Sequence, residues 1–347
     1  MKEKFYLLED IKEIVRNLKK HHNKFYGKKF LISGANGFLG KYFIKVITEI
    51  NKQTNKKIKV LAIDIKFDDC EIYKDKNVKK IKKDINLIKN FKFKCDYILH
   101  AAGIPSPKNY YKKPIEAIFT SITSTKNLLE FSKKNKSKFV FFSSSEIYGN
   151  PDKKNIPTKE TYNGNVSSIE DRSCYDEGKR VGETLCYFYK IKDKVDVAIF
   201  RPFNVFGPGM PKNDYRVFPR FFSSIKQNKP ITIFKKGNQT RTFCYVTDAI
   251  TAMFLVIING NNFVYNIGNK YPELTMNKLH NTMQKALNKK IKFVNINYPN
   301  NYPKVEPQRR CPDISKIKSE LNFKNTVSIE EAIKRFYKWS SIYYWLE

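Results

Sequence analysis

Two side chains four residues apart, Tyr175 and Lys179, define the first chemistry open to this 347-residue chain. The run Cys174-Tyr175-Asp176-Glu177-Gly178-Lys179-Arg180 has few helix breakers as far as Lys190. In a helix, residues i and i+4 share one face, a turn apart. An ammonium beside a phenol favours the phenolate and lowers the tyrosine pKa, which makes Tyr175 a general base usable near neutral pH. The second chemistry is anion recognition. Gly34-Ala35-Asn36-Gly37-Phe38-Leu39-Gly40 follows a short apolar run, Lys28 to Ser33, and opens an apolar-periodic segment reaching about Ile50. Strand, glycine-rich turn and helix in that order let backbone amides approach a pyrophosphate at a helix N-terminus, where the dipole favours an anion. Asp64 ends a second apolar run, Lys59 to Ile65, 24 residues beyond Gly40, where an acidic side chain meets the ribose hydroxyls of an adenosine. An acid there repels a 2′-phosphate and so favours NAD over NADP.

The third chemistry is a bidentate grip on anions. Ten arginines stand against fifty-six lysines, none lies between Arg16 and Arg172, and six then fall between Arg172 and Arg241. Arginine is the residue suited to paired hydrogen bonds with phosphate or carboxylate. A further pair is bracketed by prolines in Pro307-Gln308-Arg309-Arg310-Cys311-Pro312-Asp313, and such bracketing restrains the backbone that presents it. The formal charge of +33 comes mostly from lysines spread along the whole chain with no basic block. That pattern argues against nucleic acid as the main partner.

Positioning these residues requires a sheet. Apolar runs Val78 to Ile81, Tyr97 to His100, Phe139 to Phe142 and Val195 to Phe200 alternate with helical segments, and each ends in small or polar residues. Repeated strand-helix alternation predicts an α/β fold: a Rossmann-type, doubly wound parallel sheet that binds ligands at the carboxyl ends of its strands. After Arg201 the prolines at 202, 208, 211, 219 and 230 break the chain into loops and short helices, which suits a smaller C-terminal substrate-binding α/β domain. The expected division is a helical extension over residues 1–27, a nucleotide-binding domain over 28–203, and a mainly substrate-binding part over 204–347, with about 242–268 returning to the first sheet. The extension reads as an amphipathic helix through Leu7, Leu8, Ile11, Ile14, Val15 and Leu18, with His21 and His22 exposed to solvent.

Hydrophobic residues make up 41% of the chain, as in a globular protein. Six cysteines without a C-x-x-C pair, and only four histidines, point to free thiols and no metal site. The start lacks the apolar core of a signal peptide, and the longest apolar run, Ala249 to Ile258, is too short to span a bilayer. A cytoplasmic protein without a membrane partner is the expectation.

With Gly34, Gly37 and Gly40 joined to Tyr175 and Lys179, residues 28 to 340 resemble the extended short-chain dehydrogenase/reductase family, the NAD-dependent nucleotide-sugar epimerases and dehydratases. Within it the chain looks most like the UDP-glucuronate decarboxylases. The stretches that carry this are His100 to Pro107 with Tyr110 and Pro114, Ser144-Ser145-Glu146-Ile147-Tyr148-Gly149, and Ser173 to Arg180. Phe203 to Pro208 with Asn213-Asp214, Gln239-Thr240-Arg241 and Pro307 to Asp313 complete the match. Where that family usually has Thr-Ser-Glu this chain has Ser144-Ser145-Glu146, Tyr162 to Ile169 is less alike than its flanks, and Asp68 to Lys80 does not match.

The resemblance implies roles position by position. NAD is the cofactor: Gly34, Gly37, Phe38, Leu39 and Gly40 hold its pyrophosphate, Asp64 the ribose, Asp84 and Ile85 the adenine, and Ala101 and Ala102 line its path. Tyr175 takes the proton from the sugar 4-hydroxyl, Lys179 holds the nicotinamide ribose and depresses the Tyr175 pKa, and Ser144, with Ser145 beside it, bonds the sugar 4-oxygen. Asn204, Arg241 and one or both of Arg309 and Arg310 grip the diphosphate, or the sugar carboxylate in the case of Arg310. Glu146 accompanies a step after oxidation, decarboxylation or dehydration, where simple 4-epimerases have a small apolar residue. The implied substrate is a nucleotide sugar, most simply a UDP-sugar. The family also implies a homodimer through a four-helix bundle, for which Ile115, Ile118, Ile122, Leu128, Leu129 and Phe131 supply apolar side chains.

Overall fold

The computed structural model of the chain describes residues 5–298, except 90 and 92, and 307–344. In chain order its first half runs α1 (Leu8–Asn17), β1 (Lys29–Ser33), α2 (Phe38–Asn51), β2 (Lys59–Asp64), β3 (Val78–Lys82), β4 (Tyr97–His100), α3 (Pro107–Tyr110), α4 (Pro114–Asn135), β5 (Lys138–Phe142) and α5 (Ser173–Asp193). There follow β6 (Val197–Pro202), β7 (Val205–Phe206), α6 (Val217–Lys226), β8 (Ile231–Phe234), β9 (Thr240–Arg241), β10 (Cys244–Tyr245), α7 (Val246–Asn259) and β11 (Val264–Ile267). The last elements are β12 (Leu274–Thr275), α8 (Met276–Leu287), β13 (Phe293–Ile296), β14 (Arg309–Arg310), α9 (Ser315–Leu321) and α10 (Ile329–Tyr343).

Successive side chains on a strand point to opposite faces, and here both faces are apolar. Phe30 and Ile32 of β1, Val140 and Phe142 of β5, and Ala198 and Phe200 of β6 enter one core with α2 and α7. Leu31, Phe139, Phe141, Val197 and Ile199 enter another with Leu128 and Leu129 of α4 and Cys186 of α5. Strands buried on both faces are the signature of a parallel sheet covered by crossover helices. The seven long strands lie in the order β11-β6-β5-β4-β1-β2-β3, all pairs parallel. This is the doubly wound sheet expected. The remaining strands form small sheets, among them β12-β9-β14 and the pair β10-β7.

The N-terminal segment is packed more tightly than its composition suggests. Ile11 and Ile14 of α1 are fully buried. Asp10, also fully buried, accepts the Tyr245 hydroxyl at 2.8 Å and an Arg335 guanidinium hydrogen at 3.0 Å. Arg335 also binds Glu13 at 2.6 Å, and Lys338 approaches Glu9 at 3.3 Å, so α10 holds α1. The expectation for His22 is corrected: it is buried, its Nε2 lies 2.9 Å from the Val15 carbonyl, and burial lowers its pKa. It closes the turn after α1, which an exposed ring could not do. Residues 1–4 of the expected extension lie outside the described residues.

Three of the six apolar side chains expected at a dimer interface are instead committed to the chain itself. Leu128, Leu129 and Phe131 are buried in the chain's own core, because the last turns of α4 lie under the sheet. Among the described residues no helix is long and apolar enough to cross a membrane.

Burial pushes the Asp10 carboxyl up to about 7, against the pull of Tyr245 and Arg335. The folded chain therefore holds that proton more tightly than the unfolded one, and Asp10 costs stability as pH rises from about 4 to about 7. Asp10→Asn removes this slope. Thermal denaturation at about pH 5 and about pH 7.5 should show the variant's melting temperature gaining on the wild type's at the higher pH.

Candidate active site

The turn between β1 and α2 can be only what it is. Gly34 has φ +69°, and a Cβ there would sit 2.6 Å from the Ala102 backbone nitrogen. A side chain at Gly40 would strike the Gly34 carbonyl. The turn therefore lies against Ala101-Ala102 at the end of β4, and α2 begins behind it with Gly37 extended at its N-cap. The first amides of this 14-residue helix face the strand ends, as anion binding requires. Phe38 and Leu39 are anchored against the core. Asp64 accepts the Asn36 amide at 2.9 Å, which ties the tip of β2 to the turn, and burial raises its carboxyl pKa. Tyr73 donates to the Ala35 carbonyl at 2.9 Å and braces the same turn. Asp84 caps the next turn by accepting the Asn86 amide at 2.9 Å, with Ile85 buried beside it. The cradle fits NAD: glycines at 34 and 40 where a Cβ would clash, a helix N-terminus behind them and a carboxylate at the tip of β2.

Past β5 the chain delivers Ser144, Ser145 and Glu146 in a tight turn, in which the Ser144 hydroxyl accepts the Glu146 amide at 3.1 Å. Ser144 also lies close enough to Tyr175 to pull its phenol pKa down. The Tyr175 ring stacks on Tyr110 with centroids 5.6 Å apart. Lys179 is buried on the same face of α5, and its Nζ donates to the Phe142 carbonyl at 2.8 Å. This corrects one expectation. The ammonium is turned to a carbonyl, 5.9 Å from the Tyr175 ring centre, and burial pushes the phenol up to about 12 while the Ser144 hydroxyl pulls it down. Burial likewise pushes Lys179 down to about 8, against the Glu183 carboxylate. Behind the pair, Glu183 takes Arg201 in a bidentate bond, Nε to Oε1 at 2.9 Å, and accepts the Ser143 hydroxyl at 2.5 Å.

Glu146 is the electrostatic centre. Its Oε2 accepts hydrogen bonds from Arg172 and, at 2.9 Å, from Arg310, whose other nitrogen reaches the Ser145 carbonyl. Burial alone would raise the carboxyl pKa, but the guanidiniums of Arg172, Arg310 and Arg241 outweigh it and hold the group below the usual carboxylate range. Arg241 is fixed on β9 by the Thr240 carbonyl at 2.8 Å. Asn204, at φ +43°, bonds the Thr242 carbonyl at 2.8 Å and so joins β7 to that strand.

Arg309 is not part of the site. It points the other way along β14 and is held by Glu273, Nε to Oε1 at 2.8 Å and Nη2 to Oε2 at 2.7 Å. Neighbours on a strand face opposite sides, so only one of the two arginines could reach Glu146. Arg172, Asp176 and Arg216 are absent from the sequence-derived site. Arg172 Nε lies 3.6 Å from Asp176 Oδ2, and Arg216, paired with Asp214 at 2.6 Å, is close enough to Tyr175 to feel its charge. The abrupt arrival of arginine at position 172, and its i,i+4 spacing to Asp176, were the available signals.

A glycine-cradled nucleotide site joined to a buried Tyr/Lys pair at the carboxyl ends of a doubly wound sheet defines an NAD-dependent enzyme that oxidises or reduces an alcohol carbon. The family model described as "NAD dependent epimerase/dehydratase family" matches residues 30–268, and the chain belongs to that family. It is 34% identical over 314 residues to UDP-glucuronic acid decarboxylase 3 of Arabidopsis thaliana, covering 88% of this chain and 86% of that one. Among solved structures it is similar to the UDP-glucuronic acid 4-epimerase of Bacillus cereus in complex with UDP-glucuronic acid and NAD. That match has 26% identity and a TM-score of 0.73, over 90% of this chain and 98% of the other. The dTDP-glucose 4,6-dehydratase DesIV of Streptomyces venezuelae shares the fold at 19% identity and a TM-score of 0.77, covering 90% and 96% of the two chains. NAD is thus the cofactor of this chain.

Asp64→Ser removes the carboxylate expected to meet the ribose. A hydrogen bond to a charged group is worth about 2 kcal/mol, which is roughly thirtyfold in affinity. Fluorescence titration should show NAD binding weakened by about that factor and the preference for NAD over NADP narrowed.

Proposed function

We propose that this enzyme decarboxylates UDP-glucuronate to UDP-xylose through a 4-keto sugar. One observation carries the reading: Glu146 is clamped by the guanidiniums of Arg172 and Arg310, two residues after Ser144 and close enough to Tyr175 to act on its charge. Such a site suits a substrate with its own carboxylate beside the reacting carbon, and the identity to decarboxylases over most of the chain supports it. NAD, when bound, accepts the hydride of C4 and later returns it, so no net NADH accumulates.

The residues divide the remaining work. Ser144 orients the 4-hydroxyl, and Tyr175 takes its proton and restores it at the end. Lys179, held by the Phe142 carbonyl, fixes the face of α5 that carries Tyr175. With a ketone at C4 the uronate is a β-keto acid, so the C5–carboxylate bond breaks and its electron pair moves into an enolate. CO2 leaves, and a proton from water then adds at C5. Arg310 and Arg172 orient the carboxylate before it leaves, and Glu146 keeps both guanidiniums in register. Asn204 and Arg241 lie on the diphosphate side. The regions outside the nucleotide sheet, chiefly within 204–347, form the substrate side.

A second reading, 4-epimerisation of the same uronate, is favoured by the likeness to the Bacillus cereus epimerase. Mass spectrometry of UDP-glucuronate incubated with the protein and catalytic NAD separates the two. Loss of the mass of CO2 without net NADH is expected, whereas an isomer of unchanged mass would establish the epimerase. Unchanged uronate alongside converted UDP-glucose or dTDP-glucose would move the assignment to a 4-epimerase or a 4,6-dehydratase. Tyr175→Phe should lower turnover by at least ~100-fold, with little change in melting temperature.

The same reading includes a homodimer. Ile115 and Phe119 of α4, and Val181, Phe188 and Ile191 of α5, are large apolar side chains on the outer surface of two packed helices. A second copy presenting the same patch would complete a four-helix bundle. Phe119→Glu combined with Phe188→Glu should convert a dimer to a monomer in light scattering, and an unchanged mass would refute this interface.

A further inference from the structure

Glu146 stands on the turn between β5 and α5 and is braced from two sides. Arg310 reaches it from β14 and Arg172 from the first turn of α5. Both bonds fall on one oxygen, Oε2, so the two guanidiniums together fix the rotation of the carboxylate. Arg310 is itself fixed by its bond to the Ser145 carbonyl. Arg172 has a long, rotatable stem, and Asp176 is one of the groups that aim its fork. It lies one turn further along α5, at i+4, with Oδ2 3.6 Å from Arg172 Nε, an ion-pair contact too long for a hydrogen bond, and a side chain only 7% exposed. Its other oxygen, Oδ1, is buried with no hydrogen-bond partner among the described residues. A carboxylate kept in such surroundings costs stability. The Arg172/Asp176 couple and the Tyr175/Lys179 couple have the same spacing and start three residues apart, so one stretch of helix delivers both.

We propose that Asp176 is a positioning residue for the reaction: it holds the Nε edge of Arg172 so that the same guanidinium presents its Nη2 to Glu146. The line Asp176–Arg172–Glu146–Arg310 thereby fixes the carboxylate that faces the substrate, in step with the helix that carries Tyr175. The charges around Asp176 agree with this role. Burial and the neighbouring Glu146 carboxylate raise its pKa, while Arg172 and Arg310 oppose them. Tyr110 from α3 and Tyr175 on its own helix complete the surroundings, and Arg241 from β9 faces Glu146. Glu146 is thus held ionised beside a carboxyl that protonates more readily. Environments that separate two neighbouring carboxyls in this way assign them different tasks.

The inference rests on the decarboxylase reading, and its test keeps the two apart. Wild type, Asp176→Asn, Asp176→Ala and Glu146→Gln are assayed for CO2 release from UDP-glucuronate with NAD across pH. Asparagine keeps an oxygen that can accept from Arg172, and alanine does not. Asp176→Ala should lose roughly 100-fold in kcat, the scale of a misplaced catalytic group, with KM changed less than about threefold. Asp176→Asn should recover most of that loss. Asparagine as damaging as alanine, or an Asp176→Ala loss confined to KM, would overturn the proposal. If the wild type releases no CO2, the functional reading fails instead. The positioning role is then read from a crystal structure of Asp176→Ala, where Arg172 swung away from Glu146 supports it and Arg172 unmoved refutes it.

Discussion

A lysine ammonium resting on a carbonyl at the end of a strand sets the geometry of this protein. Lys179 is buried, and its hydrogen bond to Phe142 pins α5 to the tip of β5. Ser144, Ser145 and Glu146 leave that same tip, and Tyr175 stands one turn before Lys179. The spacing of the Tyr175 phenol, the Ser144 hydroxyl and the Glu146 carboxylate therefore follows from a single contact. Burial of a charge is costly unless it is well paired, and the neighbouring Glu183, itself gripped by Arg201, keeps Lys179 in a polar setting. The support is layered, with the Arg201–Glu183 pair below the lysine and the lysine below the tyrosine.

The sheet supplies the other constraint. Strands apolar on both faces must be covered on both faces, so polar side chains that need access to a ligand are left with the strand ends. Gly34, Asp64, Ala101, Ser144 and Asn204 all lie just beyond or at the ends of β1, β2, β4, β5 and β6. The local charge density is high as a result, and arginine, with its planar fork, carries the pairing that lysine could not direct.

How far the sequence revealed this depends on the range of each contact. The glycine turn and the Tyr175/Lys179 pair were legible, because both are local spacings read against one element. Asp64 was legible from the length of one strand-helix-strand unit. The partner of Lys179 was not, since it is a backbone carbonyl 37 residues away. Arg309 and Arg310 were indistinguishable in sequence. Only the two-residue strand β14 gives them opposite directions, and strands that short leave no periodicity. Arg172 was visible as the arginine that ended a long gap, but its target, 26 residues upstream, became evident only once α5 was packed. His22 was misjudged because polar composition around it concealed a turn folded onto the core. In each case the missing information was tertiary.

The clasp between the first and last helices has a consequence for how the molecule comes into being. Asp10 is separated from Tyr245 by 235 positions and from Arg335 by 325. Helix α1 leaves the ribosome long before either partner exists. Until they arrive, its buried face of Ile11, Ile14 and Val15 lies open, and the seat it takes on α7 is not yet made. Contacts of such sequence separation are closed late, and surfaces waiting for them are exposed to self-association. The nucleotide-binding half can assemble early, yet the finished molecule is sealed only when the far end of the chain folds back over its beginning.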